Sequence, residues 1–585
     1  MRAIQVNFCK NPACANFGVP ASLRKYARRA SAPTLLPGTE YTLQSGGAGL
    51  PLLVCRLCGE FPPIKSNLGI SEEIHRLADF MVPAPQPCCP VASCTNHCIP
   101  VGTKGAYYAY GKTDQGSKRY KCRACGKTFS VAQRATLRQR LPQKNVQVFK
   151  LLMNKMPLTR ICEVADISIQ TLYDKIDFIH RQCLAFAAKQ ERKLLDGLVF
   201  RRLYVAVDRQ DYVVNWTQRK DKRNITLRAL GSADLASGYV FGMHLNFDAS
   251  LNPLVTEAQA HALGDYTETP PFRRHARLWL EPDYTKAVAE TVTRVATRRR
   301  KAAASLQDGI ADVYADAASR EDVESPEVVT SEESWPKRGM QVRNEYTMYA
   351  HFYLLRQMFR GVQKVRFFMD QESGIRAACL AAFEREITDR RCDAFYVRLG
   401  KELTVDEKRR VITESRAEFK RWQDAHPNLT PSEVEVLMMK AELARAAAIG
   451  KWSDKWCVHP FPNNAEPEKS ICWLTDIDEP PSDPAEIEDR ETHVARLYLK
   501  GSLHAIDRFF MQVRRRLSLL ERPVSTSSRA GRTWHGYSAY QPENIEKVLA
   551  IFRVFYNYCL AGKDTKTPAM RMGLVHAVSN PRDIL

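Results

Sequence analysis

The chain has 585 residues, 44% of them hydrophobic, and sets 86 basic side chains against 65 acidic ones, a formal charge of +21. That length and composition suit several packed domains, and the cationic excess favours a polyanionic partner, nucleic acid before membrane. No run of about 18 apolar residues offers a bilayer span, and the first residues hold no signal-peptide core, so a cytoplasmic protein without membrane contact is expected.

Seventeen cysteines are many for a reducing compartment unless they bind metal, and ten of them precede residue 126. Cys9 and Cys14, followed by Asn16, are answered later by Cys55, Cys58 and Gly59. The same text recurs as Cys89, Cys94 and Asn96, then Cys122, Cys125 and Gly126. Two thiolate pairs suit a tetrahedral structural Zn²⁺, so two zinc ribbons with one ion each are expected, at 1–65 and 85–140, joined by a linker at 66–84. Modules this small lack a core, and the metal would supply most of their folding energy, on the order of 10–16 kcal/mol. Cys88, His97 and Cys98 stand beside the second set and could replace a ligand there. The later cysteines, Cys162, Cys183, Cys379, Cys392, Cys457, Cys472 and Cys559, read as small buried hydrophobes.

From 141 to 192 the period becomes helical. Val146, Phe149, Leu152 and Met153 make one apolar face, and Pro157 stops that helix. Thr159 can cap a short second helix, and Ser168 a longer third one with Leu172, Ile176 and Ile179 inward. This is a helix-turn-helix pattern, whose third helix would present Gln170, Thr171, Tyr173 and Lys175 to a DNA groove.

A charged helix through 190–193 leads to the apolar run 203–208, which ends in Asp208. Further β-rich runs at 211–217, 225–230 and 238–247, with a polar turn at 218–224, read as an antiparallel meander. A helix at 345–360 precedes a second apolar strand, 365–370, ending in Asp370. These pieces make up a core in three parts, 193–261, 345–400 and 456–585. Its first insertion, 262–344, holds a basic stretch at 294–301 and a polar acidic stretch at 321–333, too poor in apolar residues to pack. The second, 401–455, reads as a helical hairpin, with capping-box patterns at Thr404 to Glu407 and Thr430 to Glu433. Leu503, Ile506, Phe510, Val513, Leu517 and Leu520 recur at helical spacing, with Asp507 at the edge of that seam and Arg514, Arg515 and Arg516 beyond it. Asp476, Asp478 and Glu521 are alternative third acids.

Taken together, the second ribbon, the helix-turn-helix, Asp208 with Trp216 downstream, the Asp370 strand and Asp507 with its arginines resemble DDE-type transposases of bacterial insertion sequences, in the retroviral-integrase superfamily. The segments Trp534 to Tyr537, Phe555 to Tyr558 and Thr567 to Met570 look like the C-terminal parts of such enzymes. The resemblance implies a multidomain α/β protein with a ribonuclease H-like catalytic domain on a mixed five-stranded sheet. It also implies catalysis by Asp208, Asp370 and Asp507 on two Mg²⁺ ions, or Mn²⁺. Asp208 would bridge both ions, Asp370 would bind one and Asp507 the other. Arg514, Arg515 and Arg516 would hold phosphate. The partner would be double-stranded DNA, element ends and target, met by a homodimer or larger assembly in a bacterial, nucleoid-associated cytoplasm. Two departures stand out: Asp where Glu is commoner as third acid, and a doubled ribbon. The alternatives are a DNA-binding regulator with an inactive nuclease-like domain, and a nuclease that cuts without joining.

Overall fold

Two thiol-centred modules open the chain. The computed structural model describes residues 4–21, 40–45, 50–81, 86–114, 116–131, 136, 139–196, 198–215, 224–286, 338–400, 403–449, 454–478, 481–520 and 541–585. In the first module β1 (Tyr41–Ser45) and β2 (Pro51–Cys55) pair antiparallel, with Cys55 opposite Tyr41. In the second, β3 (Tyr107–Lys112), β4 (Lys118–Cys122) and β5 (Thr128–Val131) form an antiparallel sheet with Cys122 opposite Tyr107. Val6 and Phe8 of the first module belong to the main core, whereas Cys89, Ala106, Tyr107 and Cys122 form a small core of their own. Residues 66–84 are not the expected linker: they contain α1 (Asn67–Ala78). Ile70, Ile74 and Leu77 fall on one helical face buried in the main core, and Ser66 caps the helix by accepting from the Gly69 N–H at 3.1 Å.

Helices α2 (Asn145–Leu152), α3 (Leu158–Ala165) and α4 (Ile169–Asp196) follow. Asp166, at φ 50°, turns the chain between α3 and α4, and Ser168 caps α4 by accepting from the Thr171 N–H at 3.2 Å. Pro157, not Thr159, stands at the cap of α3. Helix α4 absorbs the charged helix expected after it and runs into the main body, where buried Glu191 pairs with Arg553 and accepts from the Tyr239 hydroxyl at 2.7 Å.

That body is built on β6 (Phe200–Asn215), β7 (Asn224–Asp234) and β8 (Val240–Leu245). A short ladder of β9 (Phe247–Asp248) with β10 (Met340–Gln341), and α5 (Pro253–Ala262), belong to the first insertion and its border. Then come α6 (Asn344–Met358), β11 (Val362–Asp370), α7 (Ser373–Ala382), α8 (Glu384–Thr388) and β12 (Cys392–Leu399). The hairpin of α9 (Val405–Ala425) and α10 (Pro431–Ala444) forms with both capping boxes closed, as expected. Strands β13 (Ala447–Ile449), β14 (Asp454–Val458) and β15 (Lys469–Trp473) return to the sheet. Helices α11 (Pro484–Leu499), α12 (His504–Arg516), α13 (Pro542–Val554), α14 (Pro568–Arg571) and α15 (Pro581–Ile584) complete the chain.

Among the described residues the sheet has eight strands, not five, in the order β13-β14-β15-β12-β11-β6-β7-β8. It is mixed: β6, β11 and β12 run parallel, and their outer neighbours run antiparallel. The run 203–208 and the described part of the second run, 211–215, belong not to two strands but to one, β6, so Asp208 lies mid-strand. Arg209, Gln210 and Asp211 look like a turn in sequence, yet they pair in register with Leu230, Ala229 and Arg228. Helices cover both faces. Phe352 of α6 meets Phe367 on one, with ring centres 5.5 Å apart, and α12 packs over β6 and β7 on the other. Among the described residues no helix is long and apolar enough to cross a membrane.

Candidate metal centres and acidic cleft

Cys9, Cys14, Cys55 and Cys58 bring their sulfurs within 4.8 Å of one another, and Cys89, Cys94, Cys122 and Cys125 do the same. The geometry repeats: 3.4 Å for Cys9–Cys58 and Cys89–Cys125, 3.7 Å for Cys14–Cys55 and Cys94–Cys122. Four sulfurs about 2.3 Å from a central ion would stand roughly 3.8 Å apart, so both quartets suit structural zinc. Gly59 and Gly126, at φ 73° and 71°, supply the turn after each second pair.

A tyrosine supports each cage. The Cys9 N–H donates to the Tyr41 hydroxyl at 2.9 Å, and that hydroxyl is shared between the Asn16 and Val19 carbonyls. Cys89, Tyr107, Asn96 and Ile99 repeat the arrangement. The Asn16 and Asn96 amides donate to the sulfurs of Cys55 and Cys122 at 3.5 and 3.4 Å. Tyr41 and Tyr107 carry no ligand atom and so escaped the cysteine pattern; the signal was a tyrosine opening the strand before each second pair. The second quartet closes without His97, whose Nδ1 donates to the Cys89 carbonyl at 2.8 Å, and without half-buried Cys88 or exposed Cys98.

Asp208, Asp370 and Asp507 line one cleft of about 430 Å³, together with Asp211, Glu372, Arg209 and Arg514. Register accounts for the first two. Met369 stands opposite Val207 on the parallel pair β11 and β6, so the next residues, Asp370 and Asp208, are neighbours. On its other side Asp208 faces Gly231 of β7. A Cβ on Gly231 would stand 2.7 Å from Ile506 Cδ1 and 2.9 Å from Phe510 Cε1. Glycine there lets α12 lie against the sheet, and the first turn of α12 carries Asp507.

The cleft is electronegative, with five carboxylates against two guanidiniums. Asp208 is buried, and its Oδ1 accepts from the Arg209 N–H at 2.7 Å. Arg209 is ion-paired with Glu372 and lies 3.3 Å from Asp211. Burial pushes Glu372 up to about 7; Arg209 opposes the shift, while Asp370 and Asp211 add to it. Hard oxygen donors in negative excess suit a divalent cation such as Mg²⁺ or Mn²⁺. The aspartates are less tightly gathered than the thiols. Among the described residues, the two Cys₄ groups alone bring three or more ligand atoms mutually within 4.8 Å. Glu372 was not singled out in the sequence, although it follows Asp370 by two positions.

Of the residues expected to face DNA, Gln170 is exposed and donates to Asp174 at 3.1 Å. Thr171 bonds the Ser168 hydroxyl at 2.9 Å, and Tyr173 is half-buried. Lys175 does not face outward. It is 1% exposed, and its ammonium donates to the Arg140 and Leu141 carbonyls and to Asn145 Oδ1, at 3.2, 2.8 and 2.9 Å. Position 175 falls in the same helical seam as Leu172, Ile176 and Ile179, which the charge of lysine concealed. The arginine run is divided: Arg514 lines the cleft, Arg515 is exposed, and Arg516 turns to the connection between α2 and α3. The Arg516 guanidinium donates to Asn154 Oδ1 at 3.2 Å, and its carbonyl accepts from the Lys155 N–H at 2.6 Å.

Asp476 and Asp478 pair with Arg490 and Arg390, each at 2.6 Å, and do not line the cleft. Asn557 brackets Val240 on the edge strand β8, accepting from its N–H at 3.0 Å and donating to its carbonyl at 2.9 Å. Trp216, the turn 218–223, the stretches 294–301 and 321–333, Glu521 and the segment Trp534 to Tyr537 lie outside the described residues. No protein-family model matches the chain, and no curated protein matches it significantly.

Proposed function

We propose that the chain is a DDE-type transposase, in a DDD form, which binds the terminal repeats of its element and cleaves and joins DNA strands. One observation carries the reading. Three aspartates far apart in the sequence, on β6, at the end of β11 and in the first turn of α12, line the same cleft. The strand order β8-β7-β6-β11-β12, with β8-β7 and β7-β6 antiparallel and β6, β11 and β12 parallel, supports a ribonuclease H-like core. The basic excess and the helix-turn-helix support DNA as the partner, and two DNA ends call for at least a homodimer on DNA.

In this reading Asp208, Asp370 and Asp507 would together hold the divalent cations. Divalent cations there would activate the attacking water or 3′-hydroxyl and offset charge at phosphorus. Arg514 meets the phosphate backbone at the cleft wall, and Gln170 and Thr171 stand at the exposed start of α4 to read the groove. A cytoplasmic, nucleoid-associated protein follows from the same reading.

Asp208→Asn is expected to leave binding of terminal-repeat duplex intact and to abolish Mg²⁺-dependent strand transfer on an oligonucleotide end; transfer retained by the variant refutes the proposal. A second reading, a DNA-binding regulator with a silent nuclease-like domain, is favoured by the looser gathering of the aspartates compared with the thiols. It predicts no metal-dependent cleavage by the unaltered chain. Cleavage without joined products would identify a nuclease instead.

A further inference from the structure

The duplicated ribbon carries an internal comparison. The inner face of the second ribbon holds Tyr107 and Tyr120 against Phe129, with ring centres 5.8 and 6.3 Å away. Period-two alternation sends Tyr108 and Tyr110 to the other face, where they are 52% and 50% exposed. Arg123 lies over the Tyr108 ring at 4.0 Å and Arg119 over the Tyr110 ring at 5.4 Å, while Lys121 stands opposite Tyr108 in the ladder. Residues 86–131 contain seven Lys and Arg and a single acid, Asp114. In the first ribbon the matching positions are Thr42 for Tyr108, Val54 for Lys121 and Leu52 for Arg119. That ribbon is docked on the main body, where Arg376 donates to buried Glu60 at 2.8 Å. The first ribbon is packed into the body; the second has a small core of its own and an aromatic, basic outer face.

We propose that this outer face binds an unpaired DNA strand, with bases stacking on Tyr108 and Tyr110 and phosphates neutralised by Arg119, Lys121 and Arg123. Phosphate attraction alone needs only the cations and would be satisfied by duplex. Exposed rings dressed with guanidinium offer π-faces, and only unpaired bases present π-faces in return. Charge complementarity with a polyanion, at seven to one, selects a nucleic acid over an apolar protein surface. The inference goes beyond recognition of terminal repeats and requires no strand transfer.

The test uses the full chain carrying Asp208→Asn, so that nothing is cut. Fluorescence anisotropy is read on a labelled single strand, the same strand as blunt duplex, and its RNA counterpart. Replacing Tyr108 and Tyr110 by Ala is expected to weaken single-strand binding by about tenfold or more, with duplex binding within about twofold. Replacing both by Phe should restore single-strand binding, and a zinc content of two ions per chain certifies the ribbon in every variant. An unchanged single-strand affinity in the Ala variant, an equal loss on duplex, or tighter binding of the RNA strand overturns the proposal. Because the helix-turn-helix is untouched, terminal-repeat binding retained by the Ala variant separates failure here from failure of DNA recognition as a whole.

Discussion

Gly231 is where the sheet, its central acid and the helix bearing the third acid meet, so Gly231→Ala tests the cleft directly. The added methyl would stand 2.7 Å from Ile506 Cδ1, and 2.9 and 3.0 Å from Phe510 Cε1 and Cζ. Neither side chain has solvent to move into: Ile506 is 0% exposed, and the Phe510 ring is 3% exposed and seated beside Phe509, with ring centres 6.4 Å apart. Carbon atoms settle at about 3.5–4.0 Å, so α12 must lift by roughly 0.6–1 Å. Overpacking of that kind costs about 1–3 kcal/mol, a fall of several degrees in Tm. Asp507 rides on the lifted helix, and a displacement near 1 Å in a reacting constellation costs on the order of 10²-fold in rate. The assay is single-turnover, Mg²⁺-dependent cleavage of a labelled element-end duplex, with Tm measured on the same samples and Asp507→Asn as reference. Cleavage should fall about 10²-fold in a folded protein. Wild-type cleavage by a folded Gly231→Ala protein would show that the seating of α12 does not set the chemistry, and the assignment of Asp507 would fall with it.

The two zinc centres should respond differently to loss of a ligand. Cys58→Ser unseats Glu60 from Arg376, and uncovering such a buried pair costs about 3–5 kcal/mol, so the main melting transition should drop. Cys125→Ser undoes a ribbon with its own core and should leave that transition in place while one zinc is lost; calorimetry with zinc quantification that finds equal shifts would contradict this. Buried imidazoles should make the body acid-labile. Burial holds His351 and His459 down to about 3, and holds His244, whose Nδ1 is 2.8 Å from that of His351, well below its ordinary value. Above about pH 6.5 these groups are neutral in both folded and unfolded states; below it the unfolded chain alone takes up protons until the pH nears the folded values. Stability should therefore fall by up to about 1.4 kcal/mol per pH unit for each histidine as the pH drops below about 6.5. Denaturation midpoints at about pH 7.5 and about pH 5.5 should diverge less in His351→Gln than in the unaltered chain, and an identical loss would refute the assignment.

Local signals were legible because local chemistry decides them. Cysteine spacing located both thiol quartets, and Thr404 with Glu407 and Thr430 with Glu433 marked helix starts that close as full capping boxes. What escaped depends on partners distant in sequence. Arg209 to Asp211 looks like a break until β7 is laid beside it, and then the polar residues are simply ladder positions of one long strand. The three strands beyond β12 are short and follow an excursion over 400–446, so nothing local ties them to the sheet. Lys175 reads as a groove contact because its charge is local information. The three oxygen acceptors that hold it inside come from 30 to 35 residues upstream.

The third acid is the instructive case, because the helix that carries it serves two masters. Asp507 lies in the first turn of α12 and Arg516 in its last, about 14 Å apart at 1.5 Å per residue. At the near end the helix rests on Gly231 and brings a carboxylate to the cleft. At the far end Arg516 grips Asn154 and the Lys155 N–H, and the Ser518 hydroxyl just beyond donates to the Met156 carbonyl at 3.2 Å. Residues 154–156 lie in the connection between α2 and α3. Helix α4 makes a second tie, entering the body through Glu191 and Arg553. The sequence pattern that marked Asp507, an apolar seam ending in three arginines, thus reflects a rod spanning from cleft to head, with Arg514 given to the cleft and Arg516 to the joint. Under the proposed function, a DNA end held by α2–α4 would be referenced to Asp507 through one helix, with no loop between them to absorb the position.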